Sequence, residues 1–303
     1  MVDGRTILVT GGSGFIGRRL VDALRDGNDV RVLDIDPSGS EPDDVRVIEG
    51  DIRNEEVVDR AVAGVDVVFH QAALVDVAES VSRPVTNHSI NGTGTLRVLE
   101  AARDHGARVV VASSAAIYGD PSGVPVSETD PGRPTSPYGL EKLSADHYAR
   151  LYHELYGLET VALRYFNVYG PGQTGGDYAG VIDVFLDQAR AGEPITVHGD
   201  GEQTRDFVHV DDVVRANLLA AETDAVGDGY NVGTGESVTI ERLAELIRDA
   251  VGSDSSIAHT EPRDGDIRHS RADLSRARDR LGYEPQIGLE EGLRTLVDTR
   301  RHQ

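Results

Sequence analysis

Short apolar runs alternate with amphipathic segments through the first half of the chain, and this pattern predicts strands alternating with helices. A helix after the first strand places Phe15, Ile16, Leu20, Ala23 and Leu24 at helical spacing. Further helices are predicted at Glu55–Val62, Asn87–His105 and from Tyr138 to Tyr156. The predicted strands are Thr6–Thr10, Val30–Asp34, Val45–Glu49, Asp66–His70, Val109–Ala112 and Thr160–Arg164. Such alternation is typical of an α/β fold with a doubly wound parallel sheet.

The pattern changes near Asn167, where glycine-rich loops and short elements begin. Helices are predicted at Val181–Arg190, Ile240–Val251 and Leu289–Arg300, and a turn followed by a short strand within residues 198–210. We therefore expect a first domain at residues 1–166 and a smaller α/β region at 167–303. Residues 207–232 are expected to pack back onto the first domain.

Three glycines, Gly11, Gly14 and Gly17, lie between the first strand and the first helix. Glycines at this spacing permit a tight turn, close approach of a pyrophosphate and close packing of helix on strand. The phosphate would lie at the helix N-terminus. Asp34 ends the next strand, where a carboxylate accepts hydrogen bonds from the adenosine ribose and repels a 2′-phosphate. The pattern predicts a Rossmann-type site for a dinucleotide, with NAD favoured over NADP because no arginine follows closely.

Tyr138 and Lys142 are four residues apart, at the start of a predicted helix that Ser136 caps and Pro137 begins. Lys142 is the only lysine among 30 lysines and arginines. A cation about 4 Å from the phenol, at an effective dielectric of about 20, favours the phenolate by roughly 4 kcal/mol. We therefore expect the pKa of Tyr138 to fall towards neutrality, where a general base works best. Ser114, at the carboxyl edge of a strand, lies where open α/β sheets bind ligands.

The composition narrows the possible partners. The chain has 303 residues, no cysteine and a formal net charge of −22. The acid excess argues against nucleic acid and anionic membranes as partners, and we expect it to be an adaptation to a high-salt cytoplasm. A GC-rich genome would also favour arginine over lysine, but it does not by itself explain the acid excess. No membrane span, signal peptide or metal site is predicted, which favours a cytoplasmic location.

Several motifs together resemble those of the extended short-chain dehydrogenase/reductase family, and within it the NAD-dependent nucleotide-sugar epimerases and dehydratases, most closely the UDP-glucose 4-epimerases. The resemblance covers essentially the whole chain. It rests on Thr10–Gly17, Asp34, Asp51-Ile52, Ser114, Tyr138 with Lys142, Arg164–Pro171, Gly199–Asp212 and Tyr230–Gly233, in the family's order.

The resemblance implies a role for each matching residue. Tyr138 would be the base, Ser114 its partner at the sugar hydroxyl, and Lys142 the third member of the catalytic set. Asp51 and Ile52 would contact adenine, and Asn91 and Lys142 the sugars and phosphates of NAD. The other implied NAD contacts are Gly11, Gly14, Phe15, Ile16, Gly17, Asp34, Gln71, Ala72, Ala73, Tyr138 and Tyr165.

A nucleotide-sugar, by this resemblance a UDP-hexose, would be the substrate. Asn167, Arg205 and Arg263 would hold its diphosphate, Asp266 its ribose, and His198 its base, with Ser114 and Val181 also at the substrate. The family further implies a homodimer, formed by the long helices near residues 87–105 and 138–156. Two positions depart from the family pattern, Val75 in place of a lysine and Gly180 in place of an asparagine, and both bear on the sugar pocket.

The resemblance implies reversible 4-epimerisation, such as that of UDP-glucose and UDP-galactose, through a transient 4-keto sugar. UDP-N-acetylglucosamine and UDP-glucuronate remain alternative substrates. Dehydratases and decarboxylases of this fold carry a carboxylate just after the active-site serine, where this chain has Ala115 and Ala116, so both readings are weakened. A non-catalytic sensor of NAD or nucleotide sugar is a further alternative, although a binding module needs no activated phenol.

Overall fold

The central element is a seven-stranded parallel sheet, seen in a computed structural model that describes residues 2–173, 180–263 and 265–301. Its strand order is β11-β6-β5-β4-β1-β2-β3. The strands of the chain are β1 (Thr6–Thr10), β2 (Asp29–Asp34), β3 (Arg46–Glu49), β4 (Val67–His70), β5 (Arg108–Ser114), β6 (Thr160–Tyr165), β7 (Asn167–Tyr169), β8 (Ile195–His198), β9 (Thr204–Arg205), β10 (Phe207–His209), β11 (Asp228–Val232), β12 (Val238–Thr239) and β13 (Ile257–Thr260). The predicted doubly wound, Rossmann-type α/β fold is confirmed.

Helices cover both faces of this sheet. The helices in the described residues are α1 (Phe15–Leu24), α2 (Glu55–Val62), α3 (Val77–Ser82), α4 (Pro84–Asn87), α5 (Thr95–His105), α6 (Pro137–Tyr156), α7 (Val181–Ala191), α8 (Val210–Glu222), α9 (Ile240–Val251), α10 (Ser275–Leu281) and α11 (Leu289–Arg301). Strand alternation divides the core: Ile7 and Val9 pack in the layer of α1 and α8, whereas Leu8 packs in the layer of α2, α5 and α6. Burial on both faces explains why the central strands are almost wholly apolar.

The helix predicted at Asn87–His105 differs from the structure. Helical residues begin at Pro84, and the segment His88–Gly94 forms a π-helix between α4 and α5. Two glycines in this segment allow distant side chains to pack closely against its backbone. A Cβ at Gly94 would lie 2.6 Å from Ile52, and a Cβ at Gly92 would lie 2.6 Å from Glu141. The wide turn therefore depends on contacts with distant residues, which helical periodicity does not reveal.

The later part of the chain returns to the sheet. Helix α8, which the sequence analysis did not identify as a helix, packs against α1, β5 and β6, and β11 pairs with β6 at the sheet edge. Strand β10 instead pairs with β7 outside the main sheet. A separate core, which includes Phe185, Leu243 and Leu296, joins α7, α9 and α11.

Candidate active site

A cavity of about 680 Å³ opens at the carboxyl ends of the central strands. We call it the sheet-edge cavity. It is lined by residues that the sequence analysis assigned to the cofactor: Gly11, Gly14, Phe15, Ile16, Gly17, Asp34, Asp51, Ile52, Gln71, Ala72, Ala73, Tyr138, Lys142 and Tyr165. It is also lined by residues not predicted, among them Ser13 and Ser113. The topology therefore brings the ends of six strands, β1 to β6, to one place.

The glycine turn has the shape required to receive a phosphate. Gly11 has φ +70°, and a Cβ at Gly17 would lie 2.1 Å from the carbonyl oxygen of Gly11. These positions tolerate only glycine, so helix α1 approaches β1 closely. No side chain caps the N-terminus of α1, and no acidic residue occupies its first turn. Its free N–H groups therefore remain available to an anion, and the cradle fits the pyrophosphate of a dinucleotide.

Asp34 lies beside the same turn. Its Oδ2 accepts a hydrogen bond from Ser13 N at 3.0 Å, and its Oδ1 accepts one from Asp36 N at 3.1 Å. These bonds fix the carboxylate at the rim of the cavity. Each oxygen keeps a lone pair, so the carboxylate can still accept hydrogen bonds from a ribose.

Helix α6 presents Tyr138 and Lys142 to the cavity. Ser136 Oγ accepts from Gly139 N at 3.1 Å, and Pro137 occupies the first turn, as predicted from the sequence. Lys142 donates from Nζ to the carbonyl of Ala112 at 2.8 Å, and the Nζ lies 5.9 Å from the centroid of the Tyr138 ring. The ammonium therefore lies over the face of the ring.

The predicted fall in the pKa of Tyr138 is wrong for this structure. Burial raises the pKa of the phenol, and a hydrogen bond with the Ser114 side chain only partly offsets it. Burial also lowers the pKa of Lys142 to about 8. The prediction assumed only a cation about 4 Å from the phenol, at an effective dielectric of about 20. In the structure both groups are desolvated, and the ammonium donates to a backbone carbonyl. Ser114 itself accepts from Ala116 N at 3.1 Å and so starts the 3₁₀ turn Ala115–Tyr118.

A buried histidine on β4, His70, hydrogen-bonds to side chains on β1 and α5. His70 Nδ1 lies 2.8 Å from Thr10 Oγ1, and His70 Nε2 lies 3.0 Å from Thr95 Oγ1. Thr95 Oγ1 donates its only proton to the carbonyl of Asn91, so the hydroxyl must accept from His70 Nε2–H. His70 Nδ1 then carries no proton and accepts from Thr10 Oγ1. Burial, assisted by the charge of Lys142, lowers the pKa of His70 to about 3. His70 is thus a neutral Nε2–H imidazole.

Asn91, which is expected at the cofactor, does not line the sheet-edge cavity. Its amide accepts from Leu74 N and donates to Leu74 O, both at 2.8 Å, and also donates to Asn87 Oδ1. The side chain is buried and its polar atoms are occupied. It holds the loop after β4, which forms one wall of the cavity.

A second cavity, of about 570 Å³, contains three of the residues expected at the nucleotide: His198, Arg263 and Asp266. The buried Arg205 forms an ion pair with Asp266 and so joins this group. Asn167 is exposed, Val181 begins α7, and neither lines this cavity or the sheet-edge cavity.

A buried ion pair between α6 and β6 was not predicted from the sequence. Arg164 donates to Asp146 at 2.8 and 3.0 Å, and to the hydroxyl of Tyr118 at 2.9 Å. Tyr118 in turn donates to Asn231 of β11 at 2.7 Å. Asp146 continues the four-residue spacing of Tyr138 and Lys142, and this spacing was the one signal that could have indicated it. The network holds the turn after Ser114.

Two absences apply to the described part of the chain. No group of three or more metal-ligating side chains lies within residues 2–173, 180–263 and 265–301. No helix within those ranges has the length and apolar character needed to cross a membrane.

Comparisons with known proteins agree with this geometry. The profile of the NAD dependent epimerase/dehydratase family matches residues 7–233. A putative UDP-glucose 4-epimerase of Methanocaldococcus jannaschii is 39% identical over 299 residues, covering 96% of this chain and 97% of the relative.

Two solved structures are similar over nearly all of their length. One is a UDP-N-acetylglucosamine 4-epimerase of Methanobrevibacter ruminantium in complex with UDP-N-acetylmuramic acid (TM-score 0.94, 37% identity, 100% of both chains). The other is a UDP-glucose 4-epimerase of Thermotoga maritima with UDP-glucose (TM-score 0.93, 39% identity, 98% of this chain and 99% of that one). The chain therefore belongs to the NAD-dependent epimerase/dehydratase family, and its cofactor is NAD.

Proposed function

We propose that the protein is a nucleotide-sugar 4-epimerase that interconverts UDP-glucose and UDP-galactose. The observation that carries this proposal is the placement of Tyr138 and Lys142 in the lining of the sheet-edge cavity, with the side chain of Ser114 hydrogen-bonded to Tyr138. A binding module would have no use for a phenol held beside a buried ammonium, which argues against a sensor. The similarity to two 4-epimerases supports the same activity.

In this proposal the phenolate of Tyr138 takes the proton of the sugar 4-hydroxyl, and Ser114 hydrogen-bonds the same oxygen. NAD, which the glycine turn and Asp34 would hold, would supply the redox chemistry by taking up hydride from carbon 4 and giving it back to the other face of the 4-keto sugar. Lys142 stabilises the phenolate electrostatically, because its charge lies over the ring. Burial raises the pKa of Tyr138, so this stabilisation is needed for the phenol to act as a base near neutral pH.

The diphosphate must stay bound while the 4-keto sugar rotates to present its other face. Arg205 is the strongest candidate, because its guanidinium is buried and pairs with Asp266, which lines the second cavity. A planar guanidinium holds a phosphate with two parallel hydrogen bonds. We propose that Arg263 and Asn167 assist at the diphosphate, and that Asp266 and His198 contact the nucleoside.

The test is to incubate the full chain at high salt with UDP-glucose, UDP-N-acetylglucosamine and UDP-glucuronate, each separately. Products are analysed by mass and by proton NMR. We expect UDP-glucose to give a product of unchanged mass and inverted carbon 4, and Tyr138→Phe to give none. Loss of water or carbon dioxide would instead indicate a dehydratase or a decarboxylase.

UDP-N-acetylglucosamine is the second candidate substrate, supported by the similarity to the Methanobrevibacter ruminantium enzyme. The same assay separates the two candidates. A kcat/KM at least tenfold higher for the acetylated sugar would replace the first proposal by the second.

We further propose a homodimer formed through α3, α4 and α6. Apolar side chains on these helices are exposed, among them Val85 at 81%, Leu155 at 62% and Val81 at 61%. An exposed apolar face of this kind on a monomer typically marks an interface. Leu151→Glu combined with Leu155→Glu should give a monomer by analytical ultracentrifugation, whereas Val47→Glu, on an exposed strand, should not.

A further inference from the structure

Ser13, in the glycine turn, joins two carboxylates. Its backbone N donates to Asp34 Oδ2 at 3.0 Å, and its hydroxyl donates to Glu41 Oε1. The same oxygen of Glu41 also accepts from Ser38 N and Ser38 Oγ, each at 2.9 Å. Glu41 therefore ties the segment after β2 to the glycine turn, at the end of the sheet-edge cavity where Asp34 marks the adenosine ribose.

The charge of Glu41 is secure at neutral pH. Its partial burial opposes ionisation, but the hydrogen bonds from Ser13 and Ser38 outweigh burial and lower the pKa of Glu41 to about 2. A cation stands on the other side of the turn, because Arg18 donates from Nε to the carbonyl of Ser13 at 2.6 Å. Arg18 alone would attract a phosphate on the ribose.

Two anions, Asp34 and Glu41, and one cation, Arg18, therefore bond to Ser13 in the glycine turn. A ribose 2′-hydroxyl is neutral and can donate a hydrogen bond to a carboxylate. A 2′-phosphate carries a charge of about −1.5 to −2 near neutral pH and would be repelled by both carboxylates. Asp34 and Asp36 both line the cavity here, and Arg18 offsets only one of their charges. Glu41 adds a further negative charge, held directly against Ser13.

We propose that Glu41 is a second specificity residue for the cofactor, which acts with Asp34 to exclude NADP. The inference concerns the adenosine end of the cofactor, so it does not depend on the sugar or on the reaction. Glu41 lies seven residues beyond Asp34 and reaches the turn through a serine hydroxyl, a contact that the glycine pattern does not indicate.

A competition experiment tests the proposal without any enzymatic turnover. The full chain is equilibrated with a large excess of equimolar NAD and NADP, desalted, and its bound nucleotide is extracted and quantified. The variants are Glu41→Gln, which keeps the shape and removes the charge, and Glu41→Arg, which reverses the charge. Asp43→Asn is the matched control, because it removes one charge from an exposed position in the same segment.

The bound NADP/NAD ratio should rise at least threefold in Glu41→Gln and further in Glu41→Arg, and should not change in Asp43→Asn. The increase should shrink between low and molar KCl, because salt screens exposed charges. It should also be smaller at pH 5.5 than at pH 7.5, because the second pKa of a phosphate ester is about 6.

An unchanged ratio in both Glu41 variants would overturn the proposal. So would an equal loss of both nucleotides, since a purely structural role of Glu41 in holding the turn would weaken NAD and NADP alike. If Glu41→Gln binds neither nucleotide, the Glu41→Arg ratio decides, and a fall in that ratio refutes the charge argument.

Discussion

Replacing His70 with glutamine should change how stability depends on pH. The imidazole is 3% exposed and its pKa in the folded protein is lowered from 6.5 to about 3. The folded state therefore binds no proton at His70 where the unfolded state does. This contributes stability that is fully present above pH 6.5 and is lost progressively as the pH falls from 6.5 towards 3.

The magnitude follows from the same two values. Between pH 7.5 and 5.0 the unfolded histidine takes up a proton over about 1.5 pH units, and each unit is worth about 1.4 kcal/mol. Wild-type protein should therefore lose about 2 kcal/mol through His70 alone. His70→Gln does not lose this term, but it forfeits a buried hydrogen bond with Thr10 at all pH values, at a cost of about 1–3 kcal/mol.

Urea unfolding is followed by circular dichroism at constant high salt and several pH values. It measures the gap in free energy of unfolding between the wild type and His70→Gln. Other titrating groups are common to both and cancel. The gap should narrow by about 2 kcal/mol from pH 7.5 to 5.0. His147→Gln, on the exposed face of α6, is the control and should show a constant gap. A constant gap for His70→Gln would refute the neutral buried imidazole.

Four further predictions concern the ion pair, the catalytic set and the net charge. Asp146→Asn should destabilise the protein by about 3–5 kcal/mol in urea unfolding, because it leaves the buried guanidinium of Arg164 uncompensated, and a loss below 1 kcal/mol would contradict this. Tyr138→Phe should lower turnover of the preferred UDP-sugar at least a hundredfold while the extracted NAD content stays unchanged; a fully active variant would remove Tyr138 as the base. Lys142→Met should lower kcat at least tenfold and shift the activity profile to higher pH, as phenolate loses its nearby cation, and an unchanged profile would count against that role. The melting temperature should rise from low to molar KCl, because salt screens the net charge of −22, and a flat response would argue against a high-salt adaptation.

Local rules decided what could be predicted from the sequence. The turn from β1 into α1 depends on glycines adjacent in the chain, and the start of α6 depends on Ser136 and Pro137. These features need only backbone sterics and capping, which act over a few residues. The position of Tyr138 and Lys142 on one helix face also follows from helical geometry alone.

The features that escaped prediction depend on residues far apart in sequence. The side chain of Asn91 hydrogen-bonds to the backbone of Leu74, and Arg164 on β6 pairs with Asp146 on α6. Glu41 accepts a hydrogen bond from Ser13. The pKa of Tyr138 was mispredicted for the same reason, since burial is a property of the folded packing.

The pairing of β6 with β11 also has a consequence for synthesis of the chain. When the ribosome has made residues 1–166, β6 still presents a row of unpaired N–H and C=O groups, and α1 lacks its neighbour α8. A bare strand edge and an uncovered apolar helix face are sites for aggregation. Nascent chains should therefore need protection from aggregation until Val232, the last residue of β11, has left the ribosome. For the same reason, a chimaera between relatives that exchanges residues 1–166 must exchange 210–232 as well, because both halves of that interface have to match.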